Sequence, residues 1–294
     1  MERLTVRVPA TSANIGPGYD SLGCALSLYN DFTFSPAQTL SVSGCPAAFQ
    51  NENNLALVAF RHACAYRRAD PCVVKLEINA RVPVSRGLGS SATLIVAGIR
   101  AADALLSLSL TPQEVFSLAT GLEGHPDNVA PAVFGGFTAS LTAEDGTPYT
   151  VSCPVHPSLR FCAFIPDFET ETHAARAVLP ATVPHSDAAA NAAHVAVLLG
   201  ALRTGDTGLL GLALRDRLHE PYRMPLIHHF ADVRTAALSA GAHAFYLSGS
   251  GSTCMAIYTD DAFPARVTPA VAALPHNWQV LPLSLDTEGA RLLS

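Results

Sequence analysis

The glycine-rich segment from Pro83 to Thr93 constrains this chain more than any other feature. It reads Pro-Val-Ser-Arg-Gly-Leu-Gly-Ser-Ser-Ala-Thr, follows the alternating run Val73–Ile78 and opens a helical pattern over 89–107. Glycines let the backbone approach a ligand closely, and the free N–H groups of a first helical turn attract negative charge. The segment therefore predicts an anion site between a strand and a helix. A plain glycine-rich turn before a buried helix has the same pattern and stays an alternative.

Two common kinds of phosphate loop fit this segment poorly. A P-loop NTPase needs Gly-x-x-x-x-Gly-Lys-Ser/Thr, and no lysine lies in or beside residues 83–93. The dinucleotide fingerprint matches loosely at Gly87, Gly89 and Ala92, which keeps a nicotinamide enzyme as an alternative. That fingerprint needs an acidic residue at the end of a second strand about 20 residues later. Asp103 comes only 14 residues after Gly89 and lies inside a predicted helix, so the nicotinamide alternative is disfavoured.

Composition is typical of a globular protein with a large core. The chain has 294 residues, 49% of them hydrophobic and 14% charged, and a formal net charge of -6. At this length a single core begins to divide, so we expect two domains. The acidic balance argues against a nucleic-acid partner, because gripping a phosphate backbone needs clustered Lys and Arg.

The sequence shows neither a membrane-spanning segment nor a zinc site built from cysteines. No stretch reaches the roughly 18 uninterrupted apolar residues of a membrane span, so we expect no membrane partner. The N-terminal residues alternate and carry charge, as in a first strand, and we expect a cytoplasmic protein. The seven cysteines include no Cys-x-x-Cys pair, so buried free thiols are favoured over a zinc site.

Periodicity places strands and helices in both halves of the chain. Two-residue alternation and short β-like runs predict strands at 4–8, 73–78, 160–165, 278–283 and one ending at Leu247. Patterns with a 3.6-residue period predict helices at 54–67, 89–107, 187–202, 206–218, 225–240 and 260–274. Thr111-Pro112-Gln113-Glu114 forms a capping box that predicts a helix over 112–122. The pattern breaks between 142 and 159, so we expect domains of 1–153 and 154–294.

The segment Pro83–Thr93 resembles the phosphate loop of the GHMP small-molecule kinases, whose pattern is Pro-x-x-x-Gly-Leu-Gly-Ser-Ser-Ala. Val8–Gly23, which contains Pro-Ala-Thr-Ser-Ala-Asn-Ile-Gly-Pro-Gly-Tyr-Asp, resembles the first motif of that family, and Leu247–Thr253 resembles the third. The resemblance implies a two-domain α+β fold. Its N-terminal domain would be an S5-like α/β domain that carries the loop, and its C-terminal domain a ferredoxin-like α+β domain, with substrate between them.

Within the family the resemblance is strongest to the branch that phosphorylates the hydroxyl of homoserine. The first motif is typical of that branch, as are Glu123–Pro131, Thr172–Pro180 and His219–Arg223. The resemblance implies ATP and Mg²⁺ as cofactors, L-homoserine as substrate and threonine biosynthesis as the pathway. Homodimers are common in the family, so a homodimer is possible here.

Homoserine carries a carboxylate, an ammonium and a hydroxyl, and the resemblance assigns residues to each group. Arg176 and Arg223 would grip the carboxylate, because guanidinium groups bind it with two parallel hydrogen bonds. Asp20 would hold the ammonium. The neutral partners around the substrate would be Asn14, His125 and Thr172. Without the resemblance, a surface ion pair is the favoured interpretation of either arginine, a turn residue that of Asp20 and a loop histidine that of His125.

The remaining assignments concern the nucleotide and its metal. The resemblance implies that Mg²⁺ binds Glu123 and a loop hydroxyl, Ser90 rather than Ser91, and that Arg86 could steady the γ-phosphate. Asn54 would contact the adenine, although a helix N-cap is an equal interpretation. The predicted ATP-binding residues are Asn54, Pro83, Val84, Ser85, Arg86, Gly87, Leu88, Gly89, Ser90, Ser91, Ala92 and Thr93.

The residue at the position of the usual base departs from the wider family. Relatives of the mevalonate and galactokinase type are assigned a catalytic aspartate there, whereas this branch has an asparagine, here Asn128. An amide cannot take up the hydroxyl proton as a carboxylate does. Neighbouring Asp127 is a possible substitute that the resemblance does not support. We therefore expect catalysis through Asn128, Ser90 and Glu123 by positioning and charge stabilisation, without a dedicated protein base.

Two rival functions stay open at the level of the sequence. A sibling kinase for another alcohol, such as mevalonate or shikimate, would share the loop but would not need both Asp20 and the two arginines. A ligand-binding paralogue without catalysis would have no use for intact loop serines and Glu123.

Overall fold

The computed structural model describes residues 3–293, and its strands form two sheets. Within that range the strands are β1 (Leu4–Ala13), β2 (Leu22–Pro36), β3 (Ser41–Ser43), β4 (Val74–Asn79), β5 (Phe137–Thr142), β6 (Pro148–Cys153), β7 (Arg160–Pro166), β8 (Ala244–Leu247), β9 (Cys254–Tyr258), β10 (Trp278–Leu283) and β11 (Arg291–Leu293).

Helices connect the strands and cover the sheets. They are α1 (Leu55–Tyr66), α2 (Ser90–Leu106), α3 (Pro112–Glu123), α4 (Pro126–Phe134), α5 (Thr172–Ala177), α6 (His185–Thr204), α7 (Thr207–Ala213), α8 (Glu220–Arg223), α9 (Phe230–Ser239) and α10 (Phe263–Ala272). Short 3₁₀ turns lie at Ala47–Phe49 and Met224–Leu226. Within residues 3–293, none of the helices combines the length and the hydropathy that crossing a bilayer requires.

The first sheet has seven strands, with β1 and β2 at its centre. Its order is β11-β1-β2-β4-β3, and β5 pairs with the start of β2 while β6 pairs with β5. All pairs are antiparallel except β3 with β4. The register of β1 against β2 shifts between Pro9 and Ala10, where proline cannot donate to the ladder. Helices α1, α2 and α3 pack together around a core that includes Phe32, Phe34 and Phe116.

The second sheet has four antiparallel strands in the order β10-β7-β9-β8. One face packs under α9 and α10 through residues such as Phe164 and Phe245. The other face contributes Phe161 and Tyr246 to a core cluster that also contains residues of β1, β2, α6 and α7. The two sheets therefore share apolar packing, and β11 returns the chain to the first sheet by pairing with β1.

The structure has the expected α+β architecture, with one sheet built mainly from each half of the chain. The chain leaves the first sheet after Cys153 and enters the second at Arg160. The bounds 1–153 and 154–294 stay a prediction, and the pairing of β11 with β1 means that residues 291–293 lie with the first sheet.

Two predicted helices are wrong in extent. The helix expected over 206–218 ends at Ala213, because the Asp216 carboxylate accepts from the backbone N–H groups of Leu218, His219 and Glu220 and starts α8 instead. The helix expected over 225–240 begins only at Phe230. His229 before it has a left-handed backbone with φ of 59°, which interrupts a right-handed helix.

Candidate active site

A cavity of about 550 Å³ lies along the phosphate loop, and residues of both halves of the chain line it. The cavity brings together most of the predicted site residues, namely Asn14, Asn54, Val84, Ser85, Arg86, Gly87, Gly89, Ser90, Ser91, Glu123, His125, Asn128, Thr172, Arg176 and Arg223. Asp20 reaches the site through its ion pair with Arg176. The side chains of Leu88, Ala92 and Thr93 are buried in the core, and Pro83 lies half-buried at the loop's start; none of these four side chains lines the cavity.

The backbone of the phosphate loop turns its carbonyls into the protein. Residues 85, 87 and 89 have φ values of 54°, 72° and 66°, whereas residues 86 and 88 between them do not have a positive φ. Four successive carbonyls accept hydrogen bonds from outside the loop: Ser85 from Thr170 N (3.4 Å), Arg86 from Thr253 N (3.1 Å), Gly87 from Ser248 Oγ (2.6 Å) and Leu88 from Thr11 N (3.1 Å). A trans peptide directs its N–H opposite to its C=O. The N–H groups of residues 86–89 have no acceptor in the described part of the chain, and such a row forms an anion-binding concavity.

Gly89 has a specific steric reason to be glycine. It is the N-cap of α2 in the left-handed region, and a Cβ there would lie 1.9 Å from Thr11 Oγ1. The residue thus lets the start of α2 approach β1, which places the helix N-terminus beside the row of free N–H groups.

The guanidinium of Arg86 is committed to the protein. Its Nε donates to Pro166 O (3.1 Å), its Nη2 to Asp167 O (3.1 Å), and its Nη1 to Val84 O and to the exposed Glu169 carboxylate. These groups lie in the loop itself, at the end of β7 or in the segment just after it. This arrangement argues against the expectation that Arg86 steadies a γ-phosphate.

Asn54 acts as a helix cap. Its Oδ1 accepts from Ala56 N (3.1 Å) and its Nδ2 donates to Phe49 O (3.0 Å). The N-cap alternative therefore describes how the side chain is used, and a contact of Asn54 with adenine stays a prediction.

Glu123 ends α3 beside the loop, and Ser91 Oγ donates to its Oε1 at 2.6 Å. Burial raises the pKa of Glu123, although the Ser91 hydrogen bond and the nearby His125 oppose that rise. A carboxylate and serine hydroxyls are oxygen donors that Mg²⁺ prefers. Residues 3–293 contain no cluster of three or more His, Cys, Asp or Glu side chains that could hold a metal by themselves. The donor set therefore fits an ion that completes its shell with phosphate and water.

Asn128 lies in the first turn of α4 and is buried. Thr11 Oγ1 donates to its Oδ1 at 2.8 Å. This bond fixes which way the amide is turned, and its NH₂ group has no acceptor among the described residues. A donor at this position can stabilise negative charge, and it cannot accept a proton.

His125, the N-cap of α4, is paired with Asp127. Its Nδ1 lies 2.6 Å from Asp127 Oδ1, and that carboxylate is fully buried. Burial lowers the pKa of His125, but the hydrogen bond and the charge of Asp127 together outweigh it, so the pKa lies above its ordinary value. The Oδ2 of Asp127 has no hydrogen-bond partner among the described residues. The pair fixes the orientation of the imidazole at the cavity wall.

Arg223 is a buried cation without an anionic partner. The residue is only 1% exposed, and its nitrogens donate to Ala175 O (3.1 Å), Gly249 O (3.1 Å) and His219 Nδ1 (3.4 Å). No carboxylate of residues 3–293 lies within salt-bridge distance of it. Burial lowers the pKa of Arg223, yet a guanidinium keeps its charge in a protein. The cavity therefore has an uncompensated positive charge in its wall.

Arg176 and Asp20 are paired with each other. Arg176 donates through Nη2 to Asp20 Oδ1 (3.1 Å) and through Nη1 to Oδ2 (3.3 Å), and Tyr19 OH accepts a further bond. The Arg176 side chain is 41% exposed. The residue predicted for a carboxylate and the residue predicted for an ammonium thus satisfy each other at the mouth of the cavity.

The neutral predicted partners also lie at this end. Asn14 is buried, with its Oδ1 accepting from Asp20 N (2.8 Å) and its Nδ2 without an acceptor among the residues described. Thr172 Oγ1, at the start of α5, lies 3.3 Å from Ser250 Oγ. Both side chains have polar atoms available to a ligand.

Sequence reasoning missed several residues that hold the site in place. Asn191 bonds Pro17 O, Asp216 and Arg217 N, and the buried His219 lies with its Nε2 2.8 Å from Gly16 O. Asn30 accepts from Arg81 N and Val82 N at the entry to the loop. Their partners are distant along the chain, so the only available signal was an unexpected polar residue in an apolar run.

Comparison with known proteins places these features in one family. The GHMP kinases N terminal domain matches residues 54–136, and the GHMP kinases C terminal domain matches 198–275. A homoserine kinase of Gloeobacter violaceus is 45% identical over 98% of this chain and 98% of its own length. One of Clostridium botulinum is 40% identical over 97% and 96%.

Solved structures agree with the sequence relatives. The crystal structure of a homoserine kinase from Cytophaga hutchinsonii is similar with a TM-score of 0.90 and 27% identity, covering 100% of this chain and 98% of that one. A mevalonate kinase of L. major, crystallised with R-mevalonate, has a TM-score of 0.74 at 16% identity over 96% of this chain and 95% of its own. The second likeness concerns the fold alone.

Proposed function

The chain belongs to the homoserine kinases of the GHMP kinase family, and from this premise we propose that it transfers the γ-phosphate of ATP to the hydroxyl of L-homoserine. The products are O-phospho-L-homoserine and ADP, in threonine biosynthesis. The observation that carries the proposal is the buried, uncompensated charge of Arg223 within a cavity that also contains the phosphate loop.

The site recognises the substrate through its carboxylate and its ammonium group. Its carboxylate compensates Arg223, which is buried and has no anion of its own, and a charge-assisted bond there avoids the cost of an unpaired buried ion. Its ammonium pairs with Asp20. The Arg176–Asp20 ion pair opens as the zwitterion enters. The substrate ammonium takes the place of Arg176 beside Asp20, and the substrate carboxylate takes the place of Asp20 beside Arg176. Arg176 therefore also faces the carboxylate. Asn14, His125 and Thr172 supply neutral hydrogen bonds around it.

The nucleotide phosphates lie on the free N–H groups of residues 86–89 and at the N-terminus of α2. Glu123 and Ser90 would hold Mg²⁺, with Ser91 orienting the Glu123 carboxylate through its hydrogen bond. When bound, the ion neutralises charge on the β- and γ-phosphates.

Catalysis rests on placement of the two reactants. Fixing a hydroxyl in line with the γ-phosphate converts a bimolecular reaction into an effectively intramolecular one. Asn128 donates through its NH₂ group to the charge that develops during transfer, since the hydrogen bond from Thr11 orients its amide. The substrate O–P bond forms while the bond to the leaving ADP oxygen breaks. The hydroxyl proton leaves late, to water or to the phosphate, because the amide of Asn128 does not accept it.

The test measures ADP release from Mg²⁺-ATP with homoserine, mevalonate and shikimate, with the phosphorylated product identified by ³¹P NMR. Turnover with homoserine alone is the expected result. Turnover with mevalonate or shikimate instead would assign the chain to a sibling kinase and remove the substrate roles of Asp20, Arg176 and Arg223. Nucleotide binding without turnover of any alcohol would support the non-catalytic paralogue. A homodimer remains an expectation from the resemblance, and a cytoplasmic location remains an expectation from the N-terminal sequence.

A further inference from the structure

A chain of buried hydroxyls runs from the second sheet to the phosphate loop. Tyr246 OH lies 3.2 Å from Ser12 Oγ, Ser12 Oγ lies 2.7 Å from Ser248 Oγ, and Ser248 Oγ lies 2.6 Å from Gly87 O. Tyr246 is in β8, Ser12 in β1, and Ser248 in the loop after β8. All three side chains are fully buried. None of them lines the cavity, so none touches a ligand directly.

The direction of every hydrogen bond in this series of hydroxyls is fixed by Gly87 O, the last acceptor. A carbonyl oxygen only accepts, so Ser248 donates its single hydroxyl proton to Gly87 O. Ser248 must then accept from Ser12, and Ser12 must accept from Tyr246. Burial raises the pKa of Tyr246 well above its ordinary value, so the phenol keeps the proton that this direction requires. Aligned hydrogen bonds in a dry interior polarise and strengthen one another.

The last bond sets the orientation of one peptide of the phosphate loop. With Gly87 O held toward Ser248, the N–H of Leu88 in the same planar peptide points the opposite way, into the row of free donors. A Gly87–Leu88 peptide without this bond could rotate and present its carbonyl to the phosphates, which would repel them. The left-handed φ of Gly87 (72°) leaves this residue the freedom for that rotation.

We propose that Tyr246, Ser12 and Ser248 form a hydroxyl relay of positioning residues that holds the Gly87–Leu88 peptide with its N–H toward the nucleotide phosphates. The relay acts on nucleotide affinity through the phosphate loop and leaves the homoserine end of the cavity unaffected. The inference rests on the proposed function, because it takes a nucleotide phosphate as the ligand of the loop.

The test measures ADP affinity by calorimetry in the full chain, together with KM for homoserine. Ser248→Ala should lower ADP affinity about tenfold, the effect of losing one buried hydrogen bond and misorienting a donor. Tyr246→Phe keeps the ring and should lower it about threefold. Tyr258→Phe is the matched control, since Tyr258 is a buried tyrosine of the neighbouring strand β9 whose hydroxyl has no hydrogen bond among the described residues. KM for homoserine should stay within twofold in all three variants.

A double variant makes the test specific to a relay. Because Ser12 acts on Gly87 only through Ser248, Ser12→Ala combined with Ser248→Ala should cost no more ADP affinity than Ser248→Ala alone. Additive losses, or equal losses of ADP and homoserine affinity with a lowered Tm, would overturn the relay in favour of ordinary packing. Unchanged ADP affinity in both Tyr246→Phe and Ser248→Ala would also overturn it. If the wild type binds ADP but does not phosphorylate homoserine, the proposed function fails while the relay is still decided by these affinities.

Discussion

At the scale of single residues, Arg223 decides how the site recognises its substrate. A buried guanidinium without an anion destabilises a fold. This one is held by two carbonyls and the His219 imidazole, and it lies 5.2 Å from the centre of the Tyr19 ring in a cation–π contact. Burial lowers the pKa of His219, and its Nε2–H donates to Gly16 O, which leaves Nδ1 as an acceptor for Arg223. Such a costly arrangement is retained where a ligand supplies the missing charge.

We predict that Arg223→Met raises KM for homoserine about 10- to 100-fold, from the loss of a charge-assisted hydrogen bond. KM for ATP should change less than threefold, because Arg223 lies outside the phosphate loop. Steady-state kinetics with each substrate varied in turn measure both values. Arg203→Met removes an exposed arginine and serves as the control. Equal rises in the two KM values would show that Arg223 supports the fold and does not read the carboxylate.

The two loop serines separate the metal ligand from the residue that orients it. Ser90→Ala should raise the Mg²⁺ concentration needed for tight ADP binding at least tenfold. Ser91→Ala, which removes only the bond to Glu123, should raise it less. Calorimetric titration of ADP at a series of Mg²⁺ concentrations distinguishes them. The reverse order would make Ser91 the ligand and remove Ser90 from the metal site.

How far the sequence could predict these residues depends on where their partners lie. The motifs predicted that Asn14, Glu123, His125, Asn128 and Arg223 gather at one cavity, because each lies in a segment with its own chemical signature. The roles of Arg86 and Asn54 could not be read this way. Their side chains donate to backbone carbonyls. Because every residue type has a backbone carbonyl, the sequence does not show which residues accept these bonds.

At the scale of elements, segments with a clear one-face periodicity were predicted well and segments buried on both faces were not. Helix α3 lies at 112–123, close to the range expected from its capping box. The first half of β2 is buried on both faces, so its residues show no alternation to detect. Helix α4 contains Pro126 and Pro131, which mask a helix in the sequence even though Pro126 occupies the first turn.

The contact between α8 and β8 makes stability depend on pH. The Glu220 carboxyl is buried and accepts from Leu247 N at 2.7 Å, and burial raises its pKa to about 8 from the ordinary 4.5. Between these values the folded protein keeps a proton that the unfolded chain has lost. The free energy of unfolding therefore falls as pH rises through this window, by up to about 1.4 kcal/mol per pH unit.

We predict that Glu220→Gln abolishes this component. Glutamine keeps the acceptor for Leu247 N and has no proton to lose, so the variant should be as stable as the wild type near pH 5 and more stable at pH 8. Urea unfolding at a series of pH values measures the difference. Parallel curves for the two proteins would mean that Glu220 is not protonated in the folded state.

At the scale of the whole molecule, the phosphate loop is held from both sheets. Thr11 of the first sheet and Ser248, Thr253 and Thr170 of the second half fix its four carbonyls. Arg86 adds three bonds to carbonyls and an exposed ion pair. The loop therefore takes its shape only when the two sheets are packed together, and its geometry could not follow from the local pattern of residues 83–93.

We predict that Arg86→Met weakens ADP binding by about tenfold while kcat at saturating ATP falls less than threefold. Arg86→Lys should not restore binding, because an ammonium cannot reach several carbonyls at once as a planar guanidinium does. Glu169→Gln removes only the exposed ion pair and should leave binding unchanged. A selective collapse of kcat in Arg86→Met would instead place Arg86 on the transferred phosphate.

The central claim is that this protein recognises its amino-acid substrate by both the carboxylate and the ammonium group before phosphorylating it. The most direct measurement compares kcat/KM for homoserine, its methyl ester and 4-hydroxybutyrate in the wild type and in Arg223→Met. The wild type should lose at least 100-fold with either analogue. Arg223→Met should distinguish homoserine from the ester far less, because only Arg176 still faces the carboxylate. Equal turnover of all three compounds by the wild type would contradict the claim.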